Sequence, residues 1–392
     1  MYAKTVVLTV VVCALLNGAL LADPAWTHST ADISQARYYL VGAAADDLAL
    51  FAGGRDAIGP GAQNSGVVDI YDSATGAWFV DALSAPRTSL AATGLGHLAF
   101  FAGGYGSNGY YGSPVVDIFD ARTRTWTTSS MGQGKFALAA AAAGGKAVFG
   151  GGCTEKLQPG GWPWVDTDTA DIYDVATGTW TREHLSQARD QLAATAVGNK
   201  IIFAGGRYAV GDSAVASDVV DIYDTTTGQW SSAHLSQPRA FLAATTVGHE
   251  AIFAGGYIGG GVGPSAVVDI YDADADSWRT TTLSTARGEA AATVIGDFAL
   301  IGGGNSGSRS DVVDVYDART GLWSVLHLSE GRYALAAASV GDAAVFAGGW
   351  PGADNYVMSN RADLFSIPEP MSLGLLAIAS LALTRPRRGV RR

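Results

Sequence analysis

The strongest constraint on this chain is an internal repeat with fixed spacing. A pair of glycines that ends an apolar segment occurs seven times, and a D-[IVL]-[YF] element follows each pair. After each of the first six Asp residues, a Trp stands nine positions on, a basic residue nine further, and the next glycine pair ends 17 beyond that. Only the segment from the glycine pair to the Asp changes length, from 10 to 19 residues. Seven such copies predict a repeat protein with a rigid frame and variable loops on one face.

Each copy predicts four short β-strands. The first is rich in Ala, the second is apolar and ends at the glycine pair, the third reads V-V-D-I-Y-D, and the fourth carries the Trp. Between the third and fourth strands lies a turn such as D-x-x-T-G-x-W at Asp72 to Trp78, in which Asp can accept hydrogen bonds from turn amides and Gly can adopt a left-handed conformation. Four strands in about 50 residues, repeated seven times, predict an all-β, seven-bladed β-propeller with four antiparallel strands per blade.

The last copy must be completed from elsewhere in the chain. After Phe365 the sequence offers no Trp, whereas Trp26 stands 11 residues before Arg37. We therefore predict that an N-terminal strand closes the last blade. The Trp residues at the repeat position are predicted to pack as core between blades; they are Trp26, Trp78, Trp126, Trp180, Trp230, Trp278 and Trp323.

The glycine doublet, the Tyr before the Trp and the basic residue after it resemble the Kelch repeat. The resemblance covers residues 26–366 and implies a Kelch-type β-propeller, which we place at residues 23–366. Kelch propellers include binding scaffolds as well as sugar oxidases and sialic acid epimerases, so the resemblance by itself leaves both binding and catalysis open.

The two ends of the chain predict sorting signals. Residues 1–22 contain Lys4, a short apolar run and small residues ending at Ala22, which is typical of a secretory signal peptide. Residues 367–392 contain Pro368, Glu369 and Pro370, a short apolar run and an Arg-rich tail. This segment resembles a PEP-CTERM sorting signal, which implies processing by an exosortase-type peptidase. The alternative is an uncleaved C-terminal anchor, and in either case contact with the membrane is limited to this segment.

The charge of the body excludes several partners. Between Asp23 and Ile367 there are 19 Lys and Arg residues against 35 Asp and Glu residues, a net charge of −16. Such a surface disfavours nucleic acids and anionic membranes. Cys13 lies in the predicted signal peptide, so the mature protein keeps one thiol, Cys153, and cannot form an internal disulfide.

The basic residue of each repeat is a candidate for binding an anion. Because it precedes the innermost strand, we predict a basic ring at the mouth of the central channel, on the face of the variable loops. The ring comprises Arg37, Arg87, Lys135, Arg189, Arg239, Arg287 and Arg332. The alternative is that each of these side chains pairs with an acidic or carbonyl group between blades.

The variable loops carry the residues that differ between copies. Their aromatic residues are candidate ligand contacts: Tyr105, Tyr110, Tyr111, Trp162, Trp164, Tyr208, Tyr257, Trp350 and Tyr356. Aromatic side chains on the loops of a rigid scaffold are typical of sites that bind sugars or proteins. Some of them can instead pack against the tops of the blades.

These observations favour an exported, non-catalytic protein at the outer surface or in the extracellular matrix of a bacterium. It would bind an extracellular polysaccharide or a surface protein through the loop face. No catalytic set, metal site or cofactor is predicted. The alternative is a carbohydrate-active Kelch enzyme, a sugar epimerase or oxidase, and unpaired Arg, His or Glu side chains at the channel mouth would favour it.

Overall fold

A computed structural model describes residues 25–59, 61–106, 112–155, 164–211, 213–352 and 357–367. Its strands are β1 (Thr27–Asp32), β2 (Val41–Ala45), β3 (Leu48–Ala52), β4 (Val67–Asp72), β5 (Ala77–Ala82), β6 (Arg87–Thr88), β7 (Ala91–Leu95), β8 (Leu98–Ala102), β9 (Tyr105–Gly106), β10 (Ser113–Asp120), β11 (Thr125–Lys135), β12 (Ala139–Ala143), β13 (Lys146–Gly150), β14 (Cys153–Glu155), β15 (Trp164–Asp166), β16 (Thr169–Asp174), β17 (Thr179–His184), β18 (Ala193–Val197), β19 (Lys200–Ala204), β20 (Arg207–Val210), β21 (Ser213–Ala216), β22 (Val219–Asp224), β23 (Gln229–His234), β24 (Ala243–Val247), β25 (Glu250–Ala254), β26 (Val267–Asp272), β27 (Ser277–Thr282), β28 (Ala291–Ile295), β29 (Phe298–Gly302), β30 (Val312–Asp317), β31 (Leu322–His327), β32 (Ala336–Val340), β33 (Ala343–Ala347) and β34 (Arg361–Ser366).

Seven four-stranded antiparallel sheets form the blades. Blades 1 to 7 have the strand orders β2-β3-β4-β5, β7-β8-β10-β11, β12-β13-β16-β17, β18-β19-β22-β23, β24-β25-β26-β27, β28-β29-β30-β31 and β32-β33-β34-β1. Three two-stranded ribbons, β6-β9, β14-β15 and β20-β21, lie in the connections. The predicted seven-bladed all-β fold is confirmed. So is the closure of the last blade, because the N-terminal strand β1 is the outer neighbour of β34.

The innermost strands are packed tightly around the axis. Each contacts the innermost strands of its two neighbours, in the circuit β2, β7, β12, β18, β24, β28, β32 and back to β2. A β-carbon on Gly94 would lie 1.9 Å from the carbonyl oxygen of Ala44 in the preceding blade, so even a methyl group does not fit there. Such close approach of neighbouring blades favours small residues and explains the Ala-rich first strand of every repeat.

Six of the repeat Trp residues lie on the outer strands, Trp26 directly precedes the outer strand β1, and all seven are half-buried rather than fully buried. The ring of Trp126 contacts Phe101 and Phe119 of its own blade, and its indole nitrogen donates to Asp81 of the preceding blade. The Trp residues therefore pack between blades as predicted, but one edge of each remains in water. The prediction that they are buried core residues is corrected in this respect.

The turn between the third and fourth strands of blades 1 to 6 lies at the end of the blade opposite the variable loops. Asp72 accepts hydrogen bonds from the amides of Ala74 and Thr75 at 3.1 and 3.2 Å, and Gly76 has φ = 71°. The same bonds recur at Asp120, Asp174, Asp224 and Asp272. These carboxylates have a structural role in the turn.

The described residues divide into two units, residues 29–364 and a second unit whose described part is residues 25–28 and 365–367. In the described part of the second unit, His28 stacks on Phe365 with ring centroids 4.5 Å apart. Within the described ranges, no helix is long and apolar enough to cross a membrane. The predicted signal peptide, Pro368, Glu369, Pro370 and the apolar run after them lie outside the described residues.

Candidate functional site

The seven basic residues of the repeat are buried inside the blades. Arg37 precedes β2, and its guanidinium lies 2.7 Å from the carboxylate of Asp69 on β4 and donates to the carbonyl of Phe51 on β3. The same ion pair occurs in all seven blades, between Arg37 and Asp69, Arg87 and Asp117, Lys135 and Asp171, Arg189 and Asp221, Arg239 and Asp269, Arg287 and Asp314, and Arg332 and Asp363. The basic side chains are 0 or 1% exposed, so an anion in the channel cannot reach them.

The expectation of a basic ring at the channel mouth is therefore corrected. Each side chain turns into its own blade because it finds there a carboxylate and carbonyl groups that would otherwise be buried without donors. The pairs lie within a blade, and the Asp also joins neighbouring blades. Asp221, for example, accepts a hydrogen bond from the amide of Ser186, which follows the outer strand of the preceding blade, at 2.9 Å.

The channel mouth is formed instead by the residues two positions after each basic residue. All seven have a left-handed backbone, with φ between 51° and 56°. Six backbone hydrogen bonds of 2.9 to 3.1 Å join them from blade to blade, for example from the Gln191 amide to the Ala137 carbonyl. We call this set the mouth ring: Tyr39, Ser89, Ala137, Gln191, Phe241, Glu289 and Ala334.

A second set of residues surrounds the mouth ring. The residue after each glycine pair forms a backbone bridge with the residue after the basic position, as Tyr257 does with Ala240. The residues after the glycine pairs are Arg55, Tyr105, Cys153, Arg207, Tyr257, Asn305 and Trp350. A β-carbon on Gly54 would lie 2.8 Å from the carbonyl of Tyr38, so the glycine pair lets the start of each variable loop approach the mouth.

Of the aromatic ligand candidates, five lie in the described residues. Tyr105, Tyr257 and Trp350 occupy the same position on three blades. Tyr105 and Trp164 both contact the ring of Phe136, at centroid distances of 5.8 and 6.1 Å.

The ring centroid of Trp350 lies 5.2 Å from that of Tyr333, and the ring centroid of Tyr257 lies 6.0 Å from that of Phe241 in the mouth ring. Tyr208 lies on the ribbon β20-β21 and is half-buried. The structure thus places four of the five in aromatic groups around the mouth. Outside the described residues lie Tyr110, Tyr111, Trp162 and Tyr356.

Glu289 forms an acidic centre within the mouth ring. Its two carboxyl oxygens accept hydrogen bonds from the hydroxyls of Tyr39 at 2.6 Å and Tyr257 at 3.3 Å. Burial raises the pKa of Glu289, and the two tyrosine hydrogen bonds oppose this. Burial and the charge of Glu289 also raise the pKa of Tyr39 and of Tyr257. The group can therefore hold or release a proton at the mouth.

A second polar group surrounds the buried thiol. Cys153 Sγ lies 3.3 Å from Asp190 Oδ2 and 3.5 Å from Asp166 Oδ1. Arg207 binds Asp190 through two hydrogen bonds of 2.8 and 3.1 Å, and its guanidinium lies over the ring of Phe241. Burial raises the pKa of Cys153 and of Asp166. The thiol is therefore protonated and hydrogen-bonded, and Asp190 is engaged in an ion pair with Arg207.

Reasoning from the repeat missed the mouth ring, Arg55 and Asp190. The sequence does contain a signal for them. The position two residues after the basic residue is fixed in spacing but carries Tyr, Ser, Ala, Gln, Phe, Glu and Ala in turn. When the side chain at one position varies while the repeat spacing stays fixed, the fold does not require a particular side chain there.

Comparison with known proteins agrees with this architecture. Residues 137–349, more than half of the chain, match the family described as the KLHDC2/KLHL20/DRC7 Kelch-repeats domain. The chain belongs to the Kelch-repeat family. A solved structure described as the structure of YjhT is similar to this Kelch propeller, with a TM-score of 0.57 and 15% identity, over 73% of this chain and 97% of that one. At that identity the likeness concerns the fold. No curated protein matches the sequence.

Proposed function

We propose that this Kelch propeller is an exported, non-catalytic protein that binds a glycan at the mouth of its ring. The observation that carries the proposal is the set of aromatic residues around the mouth. Tyr105, Tyr257 and Trp350 occupy equivalent positions on three different blades. Aromatic faces stack on the CH surfaces of sugars, while polar groups such as Glu289 and Asn305 can bind hydroxyls. A surface protein is the alternative partner at the same face.

Export is the part of the proposal that the sequence supports. The signal-like residues 1–22 and the PEP-CTERM-like residues 367–392 favour an outer-surface or matrix location, with processing by an exosortase-type peptidase. Intact-mass measurement of the protein from its native host tests this directly. A mass that still includes Arg385–Arg392 would mean that the tail is retained as an anchor.

A glycan array probed with the protein tests the binding site. Trp350→Ala and Tyr257→Ala are each expected to weaken binding by about thirtyfold, since truncating a central aromatic anchor typically costs about 2 kcal/mol. The control is Leu322→Ala, whose side chain is 68% exposed at the start of β31, beside the turn at the opposite end of its blade. If Leu322→Ala weakens binding and the two aromatic variants do not, the ligand binds another face.

The second candidate function is sugar epimerisation, and Glu289 is the observation that favours it. A carboxyl group with a raised pKa, bonded to Tyr39 and Tyr257, has the properties of a general acid or base. Exchange of a carbon-bound proton of a reducing sugar for deuterium from deuterated water, followed by NMR, tests for this activity. An activity that disappears in Glu289→Gln would replace the binding proposal. The oxidase alternative has less support, because among the described residues the potential metal ligands grouped with Cys153 are two carboxylates, Asp166 and Asp190.

A further inference from the structure

Two arginines differ from every other cation in the described part of the chain. Sixteen of its eighteen Lys and Arg residues form an ion pair with Asp or Glu. The two that form none within the described ranges are Arg55 and Arg309. In a body with 35 acidic residues and 19 basic ones, a guanidinium that has no carboxylate partner among the described residues is unexpected. Both of these lie in variable loops on the mouth face.

Arg309 is held in a defined position. Its guanidinium carbon lies over the ring of Trp350, 5.3 Å from the centroid. A β-carbon on Gly352 would lie 1.7 Å from Arg309 Nε, so the guanidinium packs directly against this glycine. Gly352 has φ = +67°, which also favours glycine. The side chain is nevertheless exposed, so its hydrogen-bond donors remain available to a ligand.

Arg55 approaches the same region from blade 1. Its backbone bridges Tyr38, and its Nε is buried without a hydrogen-bond partner among the described residues. Burial raises the pKa of Tyr38, and the positive charge of Arg55 opposes this increase. Burial likewise raises the pKa of Tyr333, and the positive charge of Arg309 opposes it. Tyr38, Tyr333 and Trp350 pack in one apolar cluster, so the two guanidiniums border a common aromatic surface.

We propose that Arg55 and Arg309 recognise an acidic group on the ligand, so that the glycan bound at the mouth is an acidic saccharide. This rests on the proposed glycan binding and specifies its substrate class. A planar guanidinium binds a carboxylate or a sulfate through paired hydrogen bonds, and the aromatic cluster accommodates the sugar ring beside it. The buried basic residues of the repeat cannot perform this role, because their carboxylate partners already occupy them.

Calorimetric titration with defined oligosaccharides tests the proposal. The probes are an oligogalacturonate, the same oligomer with its carboxyl groups reduced to alcohols, and a sulfated neutral oligosaccharide. We expect at least one acidic probe to bind at least about tenfold more tightly than the reduced oligomer, since losing a charged hydrogen bond costs at least that factor. Preference for the uronate or for the sulfate identifies which acidic group the site takes.

The variants distinguish an effect of the lost positive charge on binding from an effect on folding. Arg55→Gln and Arg309→Gln are each expected to lower the affinity for the acidic probe at least about tenfold, and Arg309→Lys to restore part of it. The control is Arg122→Gln, an exposed arginine in the turn at the opposite end of blade 2, whose partner Asp46 is also exposed. Unfolding midpoints equal to that of the unchanged protein show that the variants are folded.

The outcomes distinguish this inference from the proposed function. Equal affinity for the acidic and reduced oligomers, with both arginine variants unaffected, overturns the acidic specificity and leaves glycan binding intact. If none of the three probes binds and a glycan array is also blank, both proposals are wrong.

Discussion

The buried ion pair of blade 4 provides a direct test of how the blades are held together. Asp221 lies 2.7 Å from the guanidinium of Arg189, and their side chains are 4 and 0% exposed. Asp221→Ala would leave Arg189 charged, shielded from water and bonded only to the carbonyls of Gln187 and Phe203. It would also remove the acceptor for the Ser186 amide. Breaking a buried pair from one side costs about 3–5 kcal/mol.

Urea denaturation followed by tryptophan fluorescence measures this cost as a lower free energy of unfolding. The matched control is Asp218→Ala in the same blade, because Asp218 pairs with His234 at 3.3 Å and both side chains are largely exposed. Its cost should be at most about 1 kcal/mol. If the two variants lose equal stability, the buried pairs do not hold the blades together, and the repeat position is conserved within the chain for another reason.

Three further predictions concern closure, packing and pH. Deleting residues 23–33 should lower the unfolding midpoint and its cooperativity, because β34 would lose its outer neighbour; an unchanged unfolding curve would exclude this closure. Gly94→Ala should cost about 1–3 kcal/mol in denaturant unfolding, whereas Gly106→Ala, with no atom within 4 Å of its β-carbon, should cost little. Because burial raises the pKa of Glu289 above its ordinary 4.5, this group's contribution to stability is full below pH 4.5 and is lost as pH rises through the folded pKa. Glu289→Gln should therefore show a smaller decline in stability above pH 4.5 than the unchanged protein, and identical profiles would contradict the raised pKa.

The fold was predictable from the sequence because the repeat encodes it several times over. The fixed spacings, the Ala-rich inner strands and the missing seventh Trp determine the blade number and the closure. The basic position was misplaced for a physical reason. The short segment after Arg37 is not a strand but passes through a left-handed residue at Tyr39, so strand alternation does not apply to it. The spacing of the repeats does not show which side chains contact each other across blades. Tyr39 and Glu289, for example, form a hydrogen bond although they are 250 positions apart in the sequence.

The mouth ring has a further consequence. Its blade-to-blade hydrogen bonds use only backbone atoms, so they do not depend on which side chains the seven positions carry. A scaffold of this kind separates the residues that keep it assembled from those that meet a ligand. New recognition chemistry can therefore arise at the axis one residue at a time, as the unlike neighbours Phe241, Glu289 and Ala334 illustrate, without rebuilding the blades beneath.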